Sequence, residues 1–156
     1  MEQQTDHLET IRQLMPYGEA FCFVDQFVEL DASKVVGTYR FREDEWFYPA
    51  HFPDRPMTPG VILTECMAQI GLVGLGMYLN NLHHTPRPLK FAFTSSAVEF
   101  VTPVLPGEIV TVIGEKVYYR LKKLKCTVSM TNARGERVCY GTLSGMIVHA
   151  QENGKT

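Results

Sequence analysis

Apolar and polar positions change their spacing several times along the chain, and each change marks an element. Over residues 5–14, Leu8, Ile11 and Leu14 recur at helical spacing, which predicts a short amphipathic helix ended by Pro16-Tyr17-Gly18. Residues 21–30 (FCFVDQFVEL) and 34–42 (KVVGTYRFR) are aromatic and β-branched, and predict two strands joined through Asp31-Ala32-Ser33. Residues 43–57 break the pattern with prolines and aromatics and predict a loop. A helix then opens at Thr58-Pro59, with Thr58 suited to the N-cap and Pro59 to the first helical position, where its missing N–H costs nothing. It should run to about Tyr78 or Asn80, and it is apolar almost all round, the mark of a helix enclosed by a core. After a loop at 80–88 only strand-like runs remain: 89–101, 109–119, 124–131 and 137–148. Pro103 to Gly107 separates the first two, and Asn132-Ala133-Arg134-Gly135 forms a hairpin turn between the last two.

One buried helix among many strands needs a wrapper, and the simplest is a single curved antiparallel sheet. The pattern therefore predicts an α+β hot-dog fold, with other α+β sandwiches as rivals, and residues 1–156 as a single domain of a size that can hold one core. Residues 61–79 are the most apolar stretch, but Thr64, Glu65 and Gln69 interrupt it. The uninterrupted part, 70–79, is shorter than the ~20 residues of a spanning helix, so no membrane span is expected. A net charge of −2 gives no electrostatic reason to expect a nucleic-acid partner. The opening MEQQTDHLETIRQL has no basic region followed by an apolar one, so no secretory leader is read and a cytoplasmic location is expected. Cys22, Cys66, Cys126 and Cys139 stand far apart without a CxxC pair, which suits reduced thiols among apolar neighbours.

The chemistry concentrates in residues 51–69. His51 lies in a proline-stiffened loop, Gly60 and Val61 open the helix, and Glu65 and Gln69 follow inside it. Imidazole titrates near neutrality and can take an acidic proton. The free amides of Gly60 and Val61 would face a carbonyl oxygen and offset charge growing on it. Glu65, desolvated among Ile62, Met67 and Ala68, should have a raised pKa and so act as a protonated acid. Gln69, one turn on, could hold the Glu65 carboxyl. Together these parts suit removal of a proton α to a thioester with loss of a β-hydroxyl. Each has a plainer alternative: a histidine in an aromatic loop is often structural, and a buried amide is often satisfied locally. A glutamate inside an apolar helix is harder to dismiss, because burial without a partner or a role is costly.

His51-Phe-Pro-x-x-Pro-x-x-Pro-Gly-Val-x-x-x-Glu65-x-x-Ala-Gln69 resembles the signature of the 3-hydroxyacyl-acyl-carrier-protein dehydratases of fatty-acid synthesis. Phe21-x-x-Val24-Asp25 and Phe100-x-x-Pro103-Val104-x-Pro106-Gly107-Glu108 resemble that family's opening strand and its later strand-and-turn motif. The resemblance implies a catalytic pair of His51 and Glu65, a carbonyl-binding amide at Gly60, no cofactor and no metal. It also implies an acyl carrier protein as the substrate-bearing partner. In the family each site takes its histidine from one protomer and its acid from the neighbour, which implies a homodimer or a higher oligomer of dimers. Glutamate at 65 resembles the branch that dehydrates without isomerising. The chain departs from the family at Asp54, at Met57-Thr58, at Tyr17-Gly18-Glu19-Ala20 and at Glu99-Phe100-Val101-Thr102, changes that bear on the acyl chain accepted and on carrier docking.

Other candidates carry less. His83-His84 lack the spacing and company of a zinc site. Gly71, Gly74 and Gly76 lie late in a helix, where a dinucleotide fingerprint would open one, so close helix packing is the expected use. Cys66 points about 100° away from Glu65 and reads as core. Lys122 and Lys123, within Arg120-Leu-Lys-Lys-Leu-Lys125, form a basic hairpin tip that would complement an acidic carrier protein. The all-round apolar helix predicts a face, with Gly71, Val73 and Gly74, left over for a second copy across a two-fold axis. Two rival functions use the same features: an acyl thioesterase with Glu65 activating water, and a non-catalytic acyl-binding subunit of a dehydratase.

Overall fold

The structure is a computed structural model that describes residues 2–148. The chain runs α1 (Glu2–Gln13), a 3-10 turn (Glu19–Phe21), β1 (Gln26–Leu30), β2 (Lys34–Arg40), the central helix, then β3 (Lys90–Phe100), β4 (Ile109–Arg120), β5 (Lys123–Asn132) and β6 (Arg137–Val148). All strands are antiparallel in one sheet, ordered β1-β2-β4-β5-β6-β3. The central helix spans Gly60–Leu79 as α2 (Gly60–Ala68), a π-helical stretch (Gln69–Gly74) and α3 (Leu75–Leu79). The sheet curls around it, and Cys66, Met67, Ile70, Leu75 and Met77 are fully enclosed with Val110, Val112, Cys126, Met130 and Leu143 from the strands. This is the hot-dog architecture that the pattern predicts.

The helix is long and apolar enough, by length and composition, to cross a membrane, contrary to the shorter run read from the sequence; most of it is buried inside the sheet instead. It seats deeply because glycines remove the side chains in between. A Cβ on Gly114 of β4 would lie 2.6 Å from the Cα and carbonyl oxygen of Gly71, and a Cβ on Gly71 would lie 2.7 Å from Val128. Backbone thus meets backbone at the middle of the sheet. The same contacts correct an expectation. Gly71 packs on β4 and β5 of its own chain and Gly74 on Phe27, so neither faces outward. Along the helix the first turns are the most open, with Val61 77% exposed, and Tyr78 and Leu79 at the far end are partly open.

Residues 21–25 were expected to extend the first strand, but β1 starts at Gln26. Gln69 is the reason: its side chain binds the backbone of Phe21 and Phe23, groups that would otherwise join a ladder. Thr58 is likewise not the N-cap. Pro59 holds that position, and the Thr58 hydroxyl bonds Tyr48 Oη at 2.7 Å. The loop from β1 to β2 closes through Asp31 Oδ1, which accepts from the amides of Ser33 and Lys34 and from the Ser33 hydroxyl. All four cysteines are free, and Cys66, Cys126 and Cys139 are buried.

Candidate active site

His51 is placed by a small clasp that precedes the helix. Its amide reaches back to Phe47 O, the Met57 amide donates to His51 O at 2.9 Å, and His51 Nδ1 bonds Met57 O at 2.8 Å. A carbonyl oxygen only accepts, so Nδ1 carries the hydrogen and Nε2 is left with a free lone pair. The Thr58 amide bonds Val104 O, which ties the clasp to the strand region beyond β3. These bonds hold His51 immediately ahead of the helix start.

At that start, Pro59 O accepts from the amides of Ile62 and Leu63, and the amides of Gly60 and Val61 come before this first intrahelical donor. The Phe100 ring rests against Gly60, where a Cβ would lie 3.2 Å away. Beside it is a cavity of about 300 Å3 lined by Met57, Gly60, Leu63, Phe100 and Val101.

Val61, Glu65 and Gln69 follow at four-residue intervals on one helix face, descending from solvent into the core. Glu65 is half-buried, and desolvation raises its carboxyl above the usual glutamate value despite the opposing hydrogen bond from Gln69. Gln69 is fully buried and well used. Its Nε2 donates to Glu65 Oε1 at 3.0 Å and to Phe21 O at 2.9 Å, and its Oε1 accepts from the Phe23 amide at 2.7 Å. It thus orients the acid and staples the segment before β1 across the helix.

Glu65 opens into a cavity of about 100 Å3, with Ala68 and Leu72 from the same helix face and Phe91, Ala92 and Phe93 from β3. Tyr17 completes the wall, and burial together with the nearby Glu65 carboxylate keeps its phenol protonated. His51 is not among the residues that line this cavity in the same chain. Tyr17, Phe91 and Phe93 are members that the sequence reading missed. The only signal for Tyr17 was its place within the Tyr17-Gly18-Glu19-Ala20 departure.

Cys66 is excluded as a nucleophile. It is fully buried, its thiol is pushed well above its normal pKa, and Sγ donates to Phe23 O at 3.4 Å. His83 and His84 pack with His7 of α1, ring centroids 4.2 to 5.1 Å apart. Among the described residues no group of three or more His, Cys, Asp or Glu is arranged to hold a metal ion. At the β4–β5 hairpin, Leu121 and Lys122 form the turn with φ of 50° and 64°, while Lys123 already pairs with Met146. Met146 in turn pairs with Ala92, so the basic tip lies two strands, roughly 10 Å, from the wall of the Glu65 cavity.

Comparison with known proteins gives the family of the chain. The FabA-like domain model matches residues 15–143. The 3-hydroxyacyl-[acyl-carrier-protein] dehydratase FabZ of Acinetobacter baylyi is 32% identical over 127 residues, 79% of this chain and 84% of that protein. The chain belongs to this dehydratase family. Its counterpart in Acinetobacter baumannii is 33% identical, with 79% and 85% covered. A bifunctional LpxC/FabZ enzyme of Chlorobaculum tepidum is 29% identical over 90% of this chain, which spans only 30% of that longer protein. Among solved structures, the dehydratase heterocomplex ApeI:P of Xenorhabdus doucetiae superposes with a TM-score of 0.76 at 14% identity, covering 91% of this chain and 93% of that one. The thioesterase HI1161 of Haemophilus influenzae gives 0.64 at 12% identity, with 95% and 94% covered. At such identities these two show the shared fold alone.

Proposed function

We propose that this chain dehydrates a 3-hydroxyacyl thioester, carried on acyl carrier protein, to the trans-2-enoyl thioester, with His51 as base and Glu65 as acid. The observation that carries the reading is the pair of opposite environments. His51 is oriented through Nδ1 so that a bare Nε2 remains, and Glu65 is desolvated so that its carboxyl favours the protonated form. His51 Nε2 takes the α-proton, and the electrons left on the α-carbon delocalise onto the thioester oxygen, where the amides of Gly60 and Val61 offset the charge. The C–O bond at the β-carbon breaks as Glu65 gives its proton to the departing hydroxyl, which leaves as water. Return of a proton from imidazolium to the Glu65 carboxylate restores the site.

His51 does not line the Glu65 cavity of its own chain, which supports a working site built from two chains. β3 is an edge strand, long and exposed over most of its length, with Phe93 46% and Phe100 52% exposed. Such an edge is a template for pairing, and a second copy of β3 related by a two-fold axis would cover it while bringing one His51 toward the other chain's Glu65. A cytoplasmic homodimer that receives its carrier protein at the Lys122–Lys123 tip completes the reading. The thioesterase reading shares the fold and would use Glu65 to activate water, a base's role that desolvation of the carboxyl opposes.

Purified protein given 3-hydroxyacyl-acyl-carrier-protein should generate the absorbance of a conjugated enoyl thioester. Release of free carrier thiol without that absorbance would replace dehydration by thioester hydrolysis, and neither signal would leave a non-catalytic subunit.

A further inference from the structure

Tyr17 stands in the walls of two cavities at once. On one side is the apolar Glu65 cavity of about 100 Å3. On the other is a polar one of about 350 Å3, lined by Arg12, Glu19, Cys22, Asp25 and Arg42. Within one chain the first is small: an engineered cavity of about 150 Å3 holds a single benzene, and this one is about 100 Å3. The second is lined by four charged side chains, and Arg12 Nε there is buried with no hydrogen-bond partner.

The chain on both sides of Tyr17 is fixed, so its phenol is a fixed wall. Before it, Ile11 and Met15 are buried in the core. After it, the Phe21 amide bonds Gly18 O at 3.0 Å, Trp46 Nε1 donates to Ala20 O at 2.9 Å, and Gln69 holds Phe21 O and the Phe23 amide. The ring itself packs against the core cluster. Phe93, across the cavity, is half-exposed and lies at the sheet edge.

We propose that Tyr17 is the acyl-length stop of the Glu65 cavity, the side chain that ends the space available to the substrate's tail. The inference rests on the proposed function, and takes the cavity into which Glu65 opens as the place of the acyl tail. A short tail fills the apolar space. A longer one meets the phenol, and behind it charged groups that hydrocarbon cannot solvate.

The test uses saturated acyl-carrier-protein thioesters from butyryl to decanoyl, which bind without reacting, beside the matching 3-hydroxyacyl series for turnover. Each methylene that finds room should tighten binding ~4-fold until the cavity is full, after which the gain stops. Tyr17→Ala should move that break point to longer chains and raise the octanoyl-to-butyryl affinity ratio at least ~10-fold. Tyr17→Phe keeps the ring and should keep the wild-type break point. Should Tyr17→Ala fail to fold, Tyr17→Leu makes the same comparison with less volume removed. An unmoved break point in the smaller variants, an equal shift in Tyr17→Phe, or no length dependence in the wild type would each overturn the proposal. A break point that moves as expected in a protein showing no dehydration would keep the stop and discard the reaction. Dehydration with an unmoved break point would do the reverse.

Discussion

Glu65 shows how one side chain can be prepared by its surroundings. Burial raises its pKa and Gln69 opposes the rise, with burial the larger effect. The native state therefore holds the Glu65 proton more tightly than the unfolded chain does. The stability linked to this group is complete below the ordinary glutamate value of 4.5 and is lost as pH rises through the higher native pKa. Glu65→Gln has no proton to lose and keeps an oxygen to accept from Gln69. Thermal melts across this range should show the variant gaining on the wild type as pH increases. A gap moving the other way would mean the carboxylate is held ionised, as in an ion pair, and would remove the general acid. Much of this was legible in the sequence, since a glutamate flanked by Ile62, Met67 and Ala68 leaves few alternatives. What Gln69 does was legible only in part. Its bond to Glu65 follows from four-residue spacing, whereas its grip on Phe21 and Phe23 joins positions more than 40 residues apart.

At the scale of elements, the helix–sheet contact depends on two glycines facing each other. Adding a methyl at Gly114 places it 2.6 Å from the Gly71 backbone, which cannot rotate aside. Gly114→Ala should cost about 1–3 kcal/mol as an overpacking change, a fall of roughly 2–12 °C in Tm for a domain of this size, measured by calorimetry or denaturant titration. A neutral outcome would mean that the helix can lift from the sheet at small cost. The β4–β5 hairpin makes a different prediction. Changing Lys122 and Lys123 together to Glu should raise KM for carrier-bound substrate more than for a short non-protein thioester, and added salt should narrow the difference. Equal effects on both substrates would reduce the tip to a solvated face. Element types were readable because apolar spacing sets them: every strand after the helix lies within two residues of its expected bounds. The failures share one cause. Phe21 to Asp25 has the composition of a strand and Thr58 that of a cap, but side-chain bonds from Gln69 and Tyr48 decide both places. No local pattern encodes a partner that arrives through tertiary contact.

At the scale of the molecule, the two-fold assembly expected from the sequence was argued from a helix face that the structure does not leave open. An all-round apolar helix was expected to leave a face uncovered, yet the sheet, the segment before β1 and the loops enclose it from Cys66 to Met77. The uncovered apolar surface lies instead on β3, where alternating residues look half-buried in sequence and are mostly exposed in the single chain. Pairing of two β3 edges would bury it, and the same two-fold would supply each Glu65 with the other chain's His51. His51→Ala and Glu65→Gln should each lose ~10²–10⁴-fold or more in turnover while remaining folded. The most direct measurement is turnover by the mixed assembly of these two variants, isolated with a different tag on each chain. Activity well above either parent is expected, because a mixed dimer contains one site with both residues and one with neither. Tagged heterodimers shown to have formed, yet no more active than the parents, would contradict a site shared between two chains.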